Sequence, residues 1–533
     1  MNLRLLTHHT APLLLAAWMP LVAWANPSWL TADGRPLPAA HEAVRWLNEA
    51  AADGLEPADY GAQHLSDVLA AAAARGLDAA SAVALDQELT QAVERYLYEL
   101  HGGRIDPARL NERYDHSRRP QPDLRAALQT ALADGQIQQA RDAAIPRVPM
   151  YPALRALLAQ YRALGAHPAW AQPLPALPGR KLTPGQPWEG LGVLAERLVA
   201  LGDLPPQPTG EPPAASAPAQ YTPALVEAVT AFQRRHGLEA DGVLGATTLA
   251  ALNVPPAARA EQIALQMERL RWTPVLQGPR MIAVNVPEYR LRAYEYAGGR
   301  ITLRLSMAVI VGKALDTRTP LFDEDMQSIE FSPYWNIPPS IARGETVPRL
   351  RRDPGYLARQ GMEFVSAAGV STDATPEMLG AVLAGQARIR QRPGPLNALG
   401  DIKFVLPNND NIYLHHTSAP TLFGRSRRDL SHGCVRVEEP VALAQFVLQD
   451  DPAWTVERIR AAMAQPKPVF VRLPHPVPVI ITHITVVVQD GRPHFYGDLY
   501  GHDRKLASLL RQHSAKPYDA VRAGSAAGVI GPK

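Results

Sequence analysis

Cys434 is the only cysteine in the 533-residue chain, and it lies in the sequence Ser-His-Gly-Cys-Val-Arg at residues 431–436. This part of the chain predicts a short strand over residues 432–437. Because side chains alternate along a strand, His432, Cys434 and Arg436 would share one face. A thiol between an imidazole and a guanidinium is expected to have a lowered pKa and a larger fraction of thiolate. These residue types therefore predict nucleophilic chemistry at Cys434.

A candidate base lies upstream of this segment. His415 ends a short apolar strand that begins at residue 412, and that strand could pair beside the strand of Cys434. A lone cysteine is more often a small buried apolar residue than a nucleophile. The histidine at this position makes the catalytic interpretation the stronger one.

Together, Ser-His-Gly-Cys-Val-Arg and the preceding Tyr-Leu-His-His-Thr (residues 413–417) resemble the active-site signature of the L,D-transpeptidases, which have a YkuD-type catalytic domain. The resemblance implies that Cys434 forms an acyl-enzyme and that His415 transfers the protons. It also implies that backbone N–H groups around Gly433 and Cys434 stabilise the oxyanion. His432 would orient the site or assist the oxyanion, and a purely structural role for it stays equally open.

We expect five further residues to contact the substrate. Arg436 is suited to hold a carboxylate, and Ser431 lies beside the nucleophile. Tyr334, Trp335 and Asn336 lie in the segment from Phe331 to Arg343, where the two aromatic side chains form either core or the wall of a substrate groove.

The chain begins with the features of an export signal. Arg4 precedes an apolar core at residues 11–23, and Ala-Trp-Ala at residues 23–25 is a small-residue cleavage motif. Prolines at positions 12 and 20 disfavour a bilayer-spanning helix, although an uncleaved anchor stays open. We therefore expect a signal peptide over residues 1–25 and a mature protein in the periplasm.

Composition indicates a globular protein of several domains. The hydrophobic fraction is 46%, and the length exceeds what one core normally holds. The formal net charge of +3 is small for this length, so it gives no support to nucleic-acid binding. The expected fold class is multidomain α+β.

Residues 26–166 predict a helical scaffold domain. Apolar residues recur at three- and four-residue spacing over residues 41–52, 65–74 and 82–100. Parts of this region, such as Gly-Leu-Glu-Pro-Ala-Asp-Tyr at residues 54–60, resemble the scaffold of the YcbB-like L,D-transpeptidases.

Residues 167–255 predict a small helical module with helices at 191–201, 222–236 and 246–252. A Pro/Ala/Ser-rich insertion at 205–218 is expected to be a disordered loop. The order Phe-Gln, Gly-Leu, Asp-Gly, Gly and Thr between residues 232 and 248 is similar to the peptidoglycan-binding modules of wall enzymes. A plain three-helix packing unit is the alternative, and the glycan-contacting residues cannot be derived.

Residues 256–490 predict a mostly antiparallel β catalytic domain with a sandwich-like core. Strands are expected at residues 281–286, 289–294 and 301–311, and two more at 469–473 and 479–489 would close the domain. The resemblance places a helical capping insertion at 343–394, which could act as a lid. Residues 491–533 are expected to form a C-terminal extension.

The expected function is that of a peptidoglycan L,D-transpeptidase. The resemblance implies attack on diaminopimelate of a donor tetrapeptide stem, release of D-alanine and transfer to an acceptor amine, giving 3→3 crosslinks. The expected partners are peptidoglycan stem peptides, carbapenem inhibitors and peptidoglycan synthases. No nucleic acid, metal or cofactor is expected.

Three alternatives stay open at this point. Water as acceptor would give an L,D-carboxypeptidase or an endopeptidase, and a decayed site would leave a wall-binding scaffold. A zinc peptidase using His415, His416 and His432 is disfavoured, because the spacing matches none of the usual zinc motifs.

Overall fold

The computed structural model describes residues 28–206, 220–274 and 278–514. The predicted signal peptide at residues 1–25 and most of the predicted insertion at 205–218 lie outside the described residues.

The N-terminal region is helical, as its apolar spacing predicts. Its elements are α1 (Pro38–Asn48), α2 (Ala62–Arg75), α3 (Ala79–Gly102), β1 (Glu112–Arg113), α4 (Leu124–Ala133), α5 (Gln138–Ala144) and α6 (Met150–Ala163). The side chains of Asp78 and Asp123 cap α3 and α4 by accepting backbone N–H groups of the first helical turn. The apolar faces of these helices pack into one buried cluster.

The following module is a small helical unit with a two-stranded ribbon. It consists of β2 (Lys181–Leu182), α7 (Leu191–Ala200), α8 (Pro223–Arg235), β3 (Leu244–Gly245) and α9 (Ala246–Leu252). The Gln233 side chain is buried, accepts the Gly242 N–H at 2.8 Å and donates to the Thr248 hydroxyl at 3.2 Å. Three residues of the Phe-Gln, Asp-Gly and Thr pattern, Gln233, Gly242 and Thr248, therefore stabilise the turn before α9.

Helix α10 (Pro256–Trp272) joins the helical region to the catalytic domain. Its apolar residues divide between two cores, with Ile263 and Met267 in the scaffold cluster and Leu265 in the catalytic cluster. Arg269 and Arg271 are also buried and form ion pairs with Asp503 at 2.7 Å and Glu268 at 2.9 Å, respectively. The C-terminal half of the helix is therefore buried, and it ties the scaffold to the catalytic sheet.

The catalytic domain begins with the predicted antiparallel run and then departs from it. Its first strands are β4 (Arg280–Asn285), β5 (Arg290–Ala297), β6 (Arg300–Gly312) and β7 (Leu321–Phe331). Scaffold strand β1 pairs in parallel with β7, Glu112 opposite Leu321, so the scaffold contributes a strand to the catalytic sheet.

The capping insertion follows β7 and differs from its prediction in composition. Its elements are β8 (Trp335–Asn336), α11 (Pro339–Ile341), a π-helical turn at Ala342–Thr346, α12 (Val347–Arg352), α13 (Tyr356–Arg359), β9 (Met362–Ser366), β10 (Gly369–Ser371), α14 (Pro376–Leu383) and β11 (Ala387–Gln391). The expectation of a helical insertion is incomplete, since its strands pair in the antiparallel order β10-β9-β11-β8. The insertion also has a small apolar core of its own.

The chain then returns to the main sheet and ends in a hairpin and a helix. The elements are β12 (Ile402–Val405), β13 (Leu414–His415), β14 (Asp429–Ser431), β15 (Val435–Val437), α15 (Pro440–Leu448), α16 (Val456–Met463), β16 (Val469–Thr482), β17 (Val486–Gln489), β18 (Arg492–Phe495) and α17 (His502–Ser514). The two closing strands predicted near the end are therefore one long strand and part of a hairpin.

The main sheet is mixed and closes on itself. Its strands run in the order β1-β7-β12-β13-β15-β6-β5-β4-β16, and β16 also pairs with β7. The pairs β13–β15 and β4–β16 are parallel. The prediction of a sandwich-like core is therefore wrong, because β16 pairs with both β4 and β7 and so closes a single sheet.

The C-terminal segment packs against both the catalytic cluster and the scaffold cluster, to which Val486 and Phe495 of the hairpin contribute. The β17–β18 hairpin crosses the predicted boundary at residue 490, and Tyr500 and Leu506 lie in the catalytic core cluster. The described part of the predicted extension therefore packs as an integral element.

Candidate active site

The segment around Cys434 is a bend between two strands. β14 ends at Ser431 and β15 begins at Val435, while Gly433 has a φ of +119°, a backbone conformation that favours glycine. This bend breaks the strand predicted over residues 432–437, so His432 does not share a strand face with Cys434.

The Ser431 hydroxyl holds this bend together. It accepts the Gly433 N–H at 3.1 Å and donates to the Cys434 carbonyl at 2.6 Å, and the Ser431 side chain is buried. Both interactions lie within the loop, which favours a positioning role over the predicted substrate contact.

Hydrogen bonds from Thr319 and Tyr500 stabilise the same bend. The Thr319 hydroxyl donates to the Gly433 carbonyl at 2.6 Å and accepts the Gly312 N–H at 2.9 Å. The Tyr500 hydroxyl donates to the Gly312 carbonyl at 2.7 Å and accepts the Thr319 N–H at 3.2 Å. The C-terminal segment thus supports the conformation of the loop at residues 431–434, which contains Cys434.

His415 lies on the strand paired beside β15, as the sequence predicts. In the parallel β13–β15 register His415 is opposite Arg436, while Leu414 and Val435 form the neighbouring pair in the core. Paired residues project from the same face of a sheet, so the imidazole lies on the face of Arg436. Burial lowers the pKa of His415 to about 3, and the nearby Arg436 guanidinium adds to this effect. The imidazole is therefore neutral at physiological pH.

The Cys434 thiol is half-buried and approaches the Asn411 carbonyl at 3.6 Å. Burial raises the pKa of this thiol, although hydrogen bonds from Tyr413 and the charges of Lys403 and Arg436 oppose the rise. The expectation of a lowered thiol pKa is therefore wrong, because desolvation outweighs the neighbouring cations. The resting pair is a neutral thiol and a neutral imidazole.

Tyr413 and Lys403 are two site residues that the sequence analysis missed. The Tyr413 ring packs edge-on against His415 with centroids 5.7 Å apart, and the Lys403 ammonium lies 4.4 Å from the same ring. The Cys434 thiol contributes, after burial, to the raised pKa of Tyr413. Tyr413 could have been predicted from the sequence, because it is two residues before His415 and therefore lies on the same face of an extended chain.

Arg436 is a half-buried cation beside the candidate catalytic pair. Burial lowers its pKa, and its Nε atom is buried without a hydrogen-bond partner among the described residues. The described carboxylates form no ion pair with this guanidinium. The site therefore offers an unneutralised positive group beside Cys434.

His432 points to the capping insertion. Its Nε2 atom lies 2.7 Å from the Glu345 carboxylate, which is in the π-helical turn at Ala342–Thr346. This contact joins the loop that contains Cys434 directly to the insertion.

Tyr334, Trp335 and Asn336 lie at the start of the same insertion. The Arg390 guanidinium lies 4.1 Å from the Tyr334 ring, and Trp335 packs against the core of the insertion. Trp335 lies close enough to Tyr413 to lower its pKa, against the larger effect of burial. The strand β8 therefore brings Trp335 to the site, while Asn336 is exposed.

The histidines near the site do not converge on one point. His432 pairs with Glu345, His416 Nδ1 lies 2.7 Å from Asp401, and the His415 Nδ1 atom is buried without a partner in the described structure. These separate environments do not support the zinc-peptidase alternative.

One group of potential ligands lies elsewhere in the described residues, and its oxygens already have partners. His483, Asp498 and Asp503 lie close together. The Asp503 carboxylate binds Arg269 at 2.7 Å and the Thr485 hydroxyl at 2.5 Å, and Asp498 accepts backbone N–H groups at the start of α17. This group is a buried polar cluster that links the scaffold to the C-terminal segment.

Cys434 directly precedes the strand that pairs with the strand of the buried His415, a placement compatible with a cysteine nucleophile and a histidine base. Family comparisons agree: residues 279–471 match the L,D-transpeptidase catalytic domain, YkuD, residues 25–158 match a Scaffold domain, and residues 190–252 match a "Putative peptidoglycan binding domain". The chain therefore carries a YkuD L,D-transpeptidase catalytic domain together with scaffold and peptidoglycan-binding domains.

One curated relative supports this assignment. The chain is 31% identical over 247 residues to a "Putative L,D-transpeptidase" from Haemophilus influenzae, a match that covers 46% of this chain. The match spans about half of that relative, 49% of its length.

Two solved structures were also matched, both at low similarity. A fused Zn-dependent amidase/peptidase/peptidoglycan-binding domain-containing protein from Clostridium acetobutylicum is 13% identical, with a TM-score of 0.18, 57% of this chain and 99% of that chain covered. Bdellovibrio bacteriovorus Bd1075 is 15% identical, with a TM-score of 0.17 and coverages of 44% and 55%. At these scores the structures carry no argument about the fold.

None of the helices in the described parts of the chain combines the length and apolar character needed to cross a membrane.

Proposed function

We propose that this protein is a peptidoglycan L,D-transpeptidase in which Cys434 is the nucleophile and His415 the general base. The observation that carries the proposal is the pairing of β13 with β15, which aligns His415 beside the segment of Cys434. The donor substrate is a tetrapeptide stem, and the attacked carbonyl is that of its diaminopimelyl residue.

The first half-reaction forms a thioester and releases D-alanine. The neutral His415 imidazole removes the Cys434 proton as the sulfur attacks the carbonyl carbon, and the protonated imidazole then gives that proton to the departing amine. Because the pKa of the thiol is raised and that of the imidazole is lowered, proton transfer has to accompany the attack. Thus the nucleophile forms only when a substrate is in place.

The Cys434 N–H is the best candidate for the oxyanion donor. The Gly433 N–H is already donated to the Ser431 hydroxyl, whereas the Cys434 N–H meets no acceptor within the described parts of the chain. A preorganised backbone N–H aimed at the developing charge stabilises the tetrahedral intermediate. The sequence analysis expected the N–H groups of both Gly433 and Cys434 to stabilise the oxyanion, whereas this proposal assigns that role to Cys434 alone.

Arg436 and the capping insertion supply the substrate contacts. The Arg436 guanidinium lies beside the pair without a carboxylate partner in the described structure, so a stem-peptide carboxylate would complete its environment. Trp335 and Tyr413 form an aromatic boundary between the insertion and the site. The insertion would therefore enclose the donor peptide and exclude water during the acyl-enzyme stage.

The second half-reaction transfers the acyl group to the side-chain amine of another stem, which gives a 3→3 crosslink. His415 removes a proton from the acceptor amine, and the Cys434 sulfur is reprotonated when the thioester is cleaved. The predicted signal peptide and the peptidoglycan-binding match support action in the periplasm. Stem peptides, carbapenems and peptidoglycan synthases are the proposed partners.

Intact-mass spectrometry with a carbapenem tests the nucleophile. A single adduct on the wild-type protein and none on Cys434→Ala is the expected result, because a thioester requires the sulfur. A folded wild-type protein that forms no adduct would contradict the enzymatic function and favour a wall-binding scaffold.

Product analysis then tests the acceptor. Wild-type protein incubated with purified tetrapeptide muropeptides should release D-alanine and form 3→3 dimers. Release of D-alanine with tripeptides as the only other product would instead establish the carboxypeptidase activity.

A further inference from the structure

A groove separates the peptidoglycan-binding module from the loop that precedes the nucleophile. It consists of two cavities of about 700 and 730 Å³. The cavities share four lining residues, Leu238 and Glu239 from the module and Ser426 and Arg427 from the catalytic loop. Each volume lies in the range of small-ligand sites, so together they accommodate an extended ligand.

The module is held firmly against the catalytic domain at this groove. A Cβ atom at Gly237 would lie 2.9 Å from the Tyr496 ring, so the backbone of the module packs directly on that side chain. Arg235 forms a buried ion pair with Asp203, and Arg492 of the β17–β18 hairpin also binds Asp203, at 3.2 Å. These contacts give the groove fixed walls.

The floor of the groove is built around Tyr289, which adopts a φ of +55°. A positive φ is uncommon for a bulky residue and persists only where surrounding contacts hold it. The Tyr289 carbonyl accepts from the Arg428 guanidinium at 3.2 Å, and its hydroxyl lies 3.3 Å from the Asp429 carboxylate. The tyrosine is thereby clamped to the catalytic loop.

The chemistry of the lining fits an uncharged, hydroxyl-rich ligand. The two cavities together contain four basic and four acidic side chains, so they present no excess charge to attract a polyanion. Lys181, Glu239 and Arg425 are exposed and have no side-chain ion pair or hydrogen bond within the described structure, which leaves donors and acceptors available. The rings of Tyr289 and Tyr496 add apolar faces to these polar groups.

The loop that lines the groove continues along the chain to Cys434. Leu430 lines one cavity and is four residues before Cys434, a separation of at most about 14 Å along an extended chain. Three residues of a stem peptide span about 10 Å when extended. A glycan in the groove could therefore present the third residue of its stem at Cys434.

We propose that this groove binds the glycan strand of the donor peptidoglycan and aligns its stem peptide with Cys434. The inference rests on the proposed transpeptidase function, and it assigns to Glu239 and Ser426 a role in recognising the sugar backbone. The binding module and the catalytic domain would then form one composite site rather than two independent ones.

Binding of stem-free glycan strands, prepared by amidase digestion of peptidoglycan, tests the proposal in the full-length Cys434→Ala protein. Glu239→Trp and Ser426→Trp should each fill the junction of the cavities and weaken the affinity tenfold or more. Glu227→Trp is the matched control, because Glu227 is exposed on α8 outside the groove. The affinity of this control variant for glycan strands should stay within twofold of that of the Cys434→Ala protein.

Turnover by the active protein provides the second measurement. The groove variants should lose at least tenfold in kcat/KM with glycan-linked tetrapeptides and stay within twofold with free tetrapeptide. Equal affinity of parent and groove variants for glycan strands, no binding by the parent, or equal losses with both substrates would overturn the proposal.

Carbapenem acylation distinguishes failure of the composite glycan site from failure of the proposed transpeptidase function. Wild-type acylation reports on Cys434 without requiring glycan, so acylation without groove-dependent binding would contradict the composite site alone. Absence of acylation would instead contradict the transpeptidase function.

Discussion

The His432 imidazole and the Glu345 carboxylate lie 2.7 Å apart, joining the nucleophile loop to the capping insertion. His432 is two residues before Cys434, and Glu345 lies in a π-helical turn, a local geometry that often occurs at functional sites. The position of the insertion is therefore linked to the segment that contains the nucleophile.

Replacement of Glu345 by glutamine should weaken this link without removing a catalytic group. Both side chains are partly exposed, and such ion pairs contribute about 0.2–1 kcal/mol. We therefore expect kcat/KM for a tetrapeptide donor to fall about two- to fivefold, with the melting temperature unchanged. Steady-state kinetics and thermal unfolding check this expectation.

Glu377→Gln is the matched control for this variant, since Glu377 is an exposed residue in the first turn of α14. It should retain wild-type kinetics. A loss above a hundredfold in Glu345→Gln would contradict the positioning role and make Glu345 part of the chemistry.

Thr319→Val should destabilise the conformation of the loop that contains Cys434, because valine has nearly the shape of threonine but lacks the hydroxyl. The variant removes the hydroxyl that donates to the Gly433 carbonyl and accepts the Gly312 N–H, leaving two buried backbone groups without this partner. Loss of a buried hydrogen-bond partner costs about 1–3 kcal/mol. We expect carbapenem acylation to slow at least fivefold, as measured by stopped-flow fluorescence.

Thr319→Ser, which retains the hydroxyl, should recover most of the acylation rate. Equal rates in wild type and Thr319→Val would show that the conformation of Gly433 does not depend on this contact.

The sequence predicted the strand pairing near His415 and Cys434, but it did not predict the raised pKa of the Cys434 thiol. The pairing of β13, which contains His415, with β15, which begins directly after Cys434, agrees with the apolar strands read from the sequence, whereas the bend at Cys434 was not predicted. The thiol pKa did not follow, because burial of Cys434 depends on residues such as Tyr413 and on the insertion, which only the fold brings together.

The helices were predictable from local patterns, whereas sheet closure was not. The spacing of apolar residues places α3 and α8 within a few residues of their observed bounds. The long pairing of β16 with β7 joins residues 469–481 to 322–331 across a bulge, and no local pattern encodes that partner. The scaffold strand β1 was missed because two residues show no periodicity.

The pH dependence of acylation should lack an acid limb near the usual histidine pKa. His415 has its pKa lowered to about 3 and stays a neutral base throughout the range from pH 5 to 8. Titration of His415 should therefore cause little change in the carbapenem acylation rate between pH 5 and pH 7. A rate that falls with a midpoint near pH 6.5 would contradict this assignment.

His415→Gln is the companion variant for the pH profile. Removal of a general base typically costs 10²–10⁴-fold in rate. We expect a loss of that size at every pH in this range, with the protein still folded by circular dichroism.

Acidification should destabilise the catalytic domain through its buried neutral histidines. His415 and His483 both have pKa values lowered to about 3 in the folded state, below the unfolded value near 6.5. The unfolded chain therefore binds more protons between about pH 3 and 6.5, and stability falls as the pH falls through this window. At pH 5 each histidine should cost about 2 kcal/mol relative to neutral pH.

Urea unfolding at pH 7 and pH 5, followed by tryptophan fluorescence, measures this effect. His483→Gln should reduce the pH-dependent loss of unfolding free energy by about 2 kcal/mol, since an amide does not titrate. His41→Gln, at an exposed position of α1, should leave the loss as it is in the wild type. An unchanged loss in His483→Gln would mean that His483 is already protonated in the folded protein at pH 5, and that the neighbouring Asp498 and Asp503 carboxylates outweigh its burial.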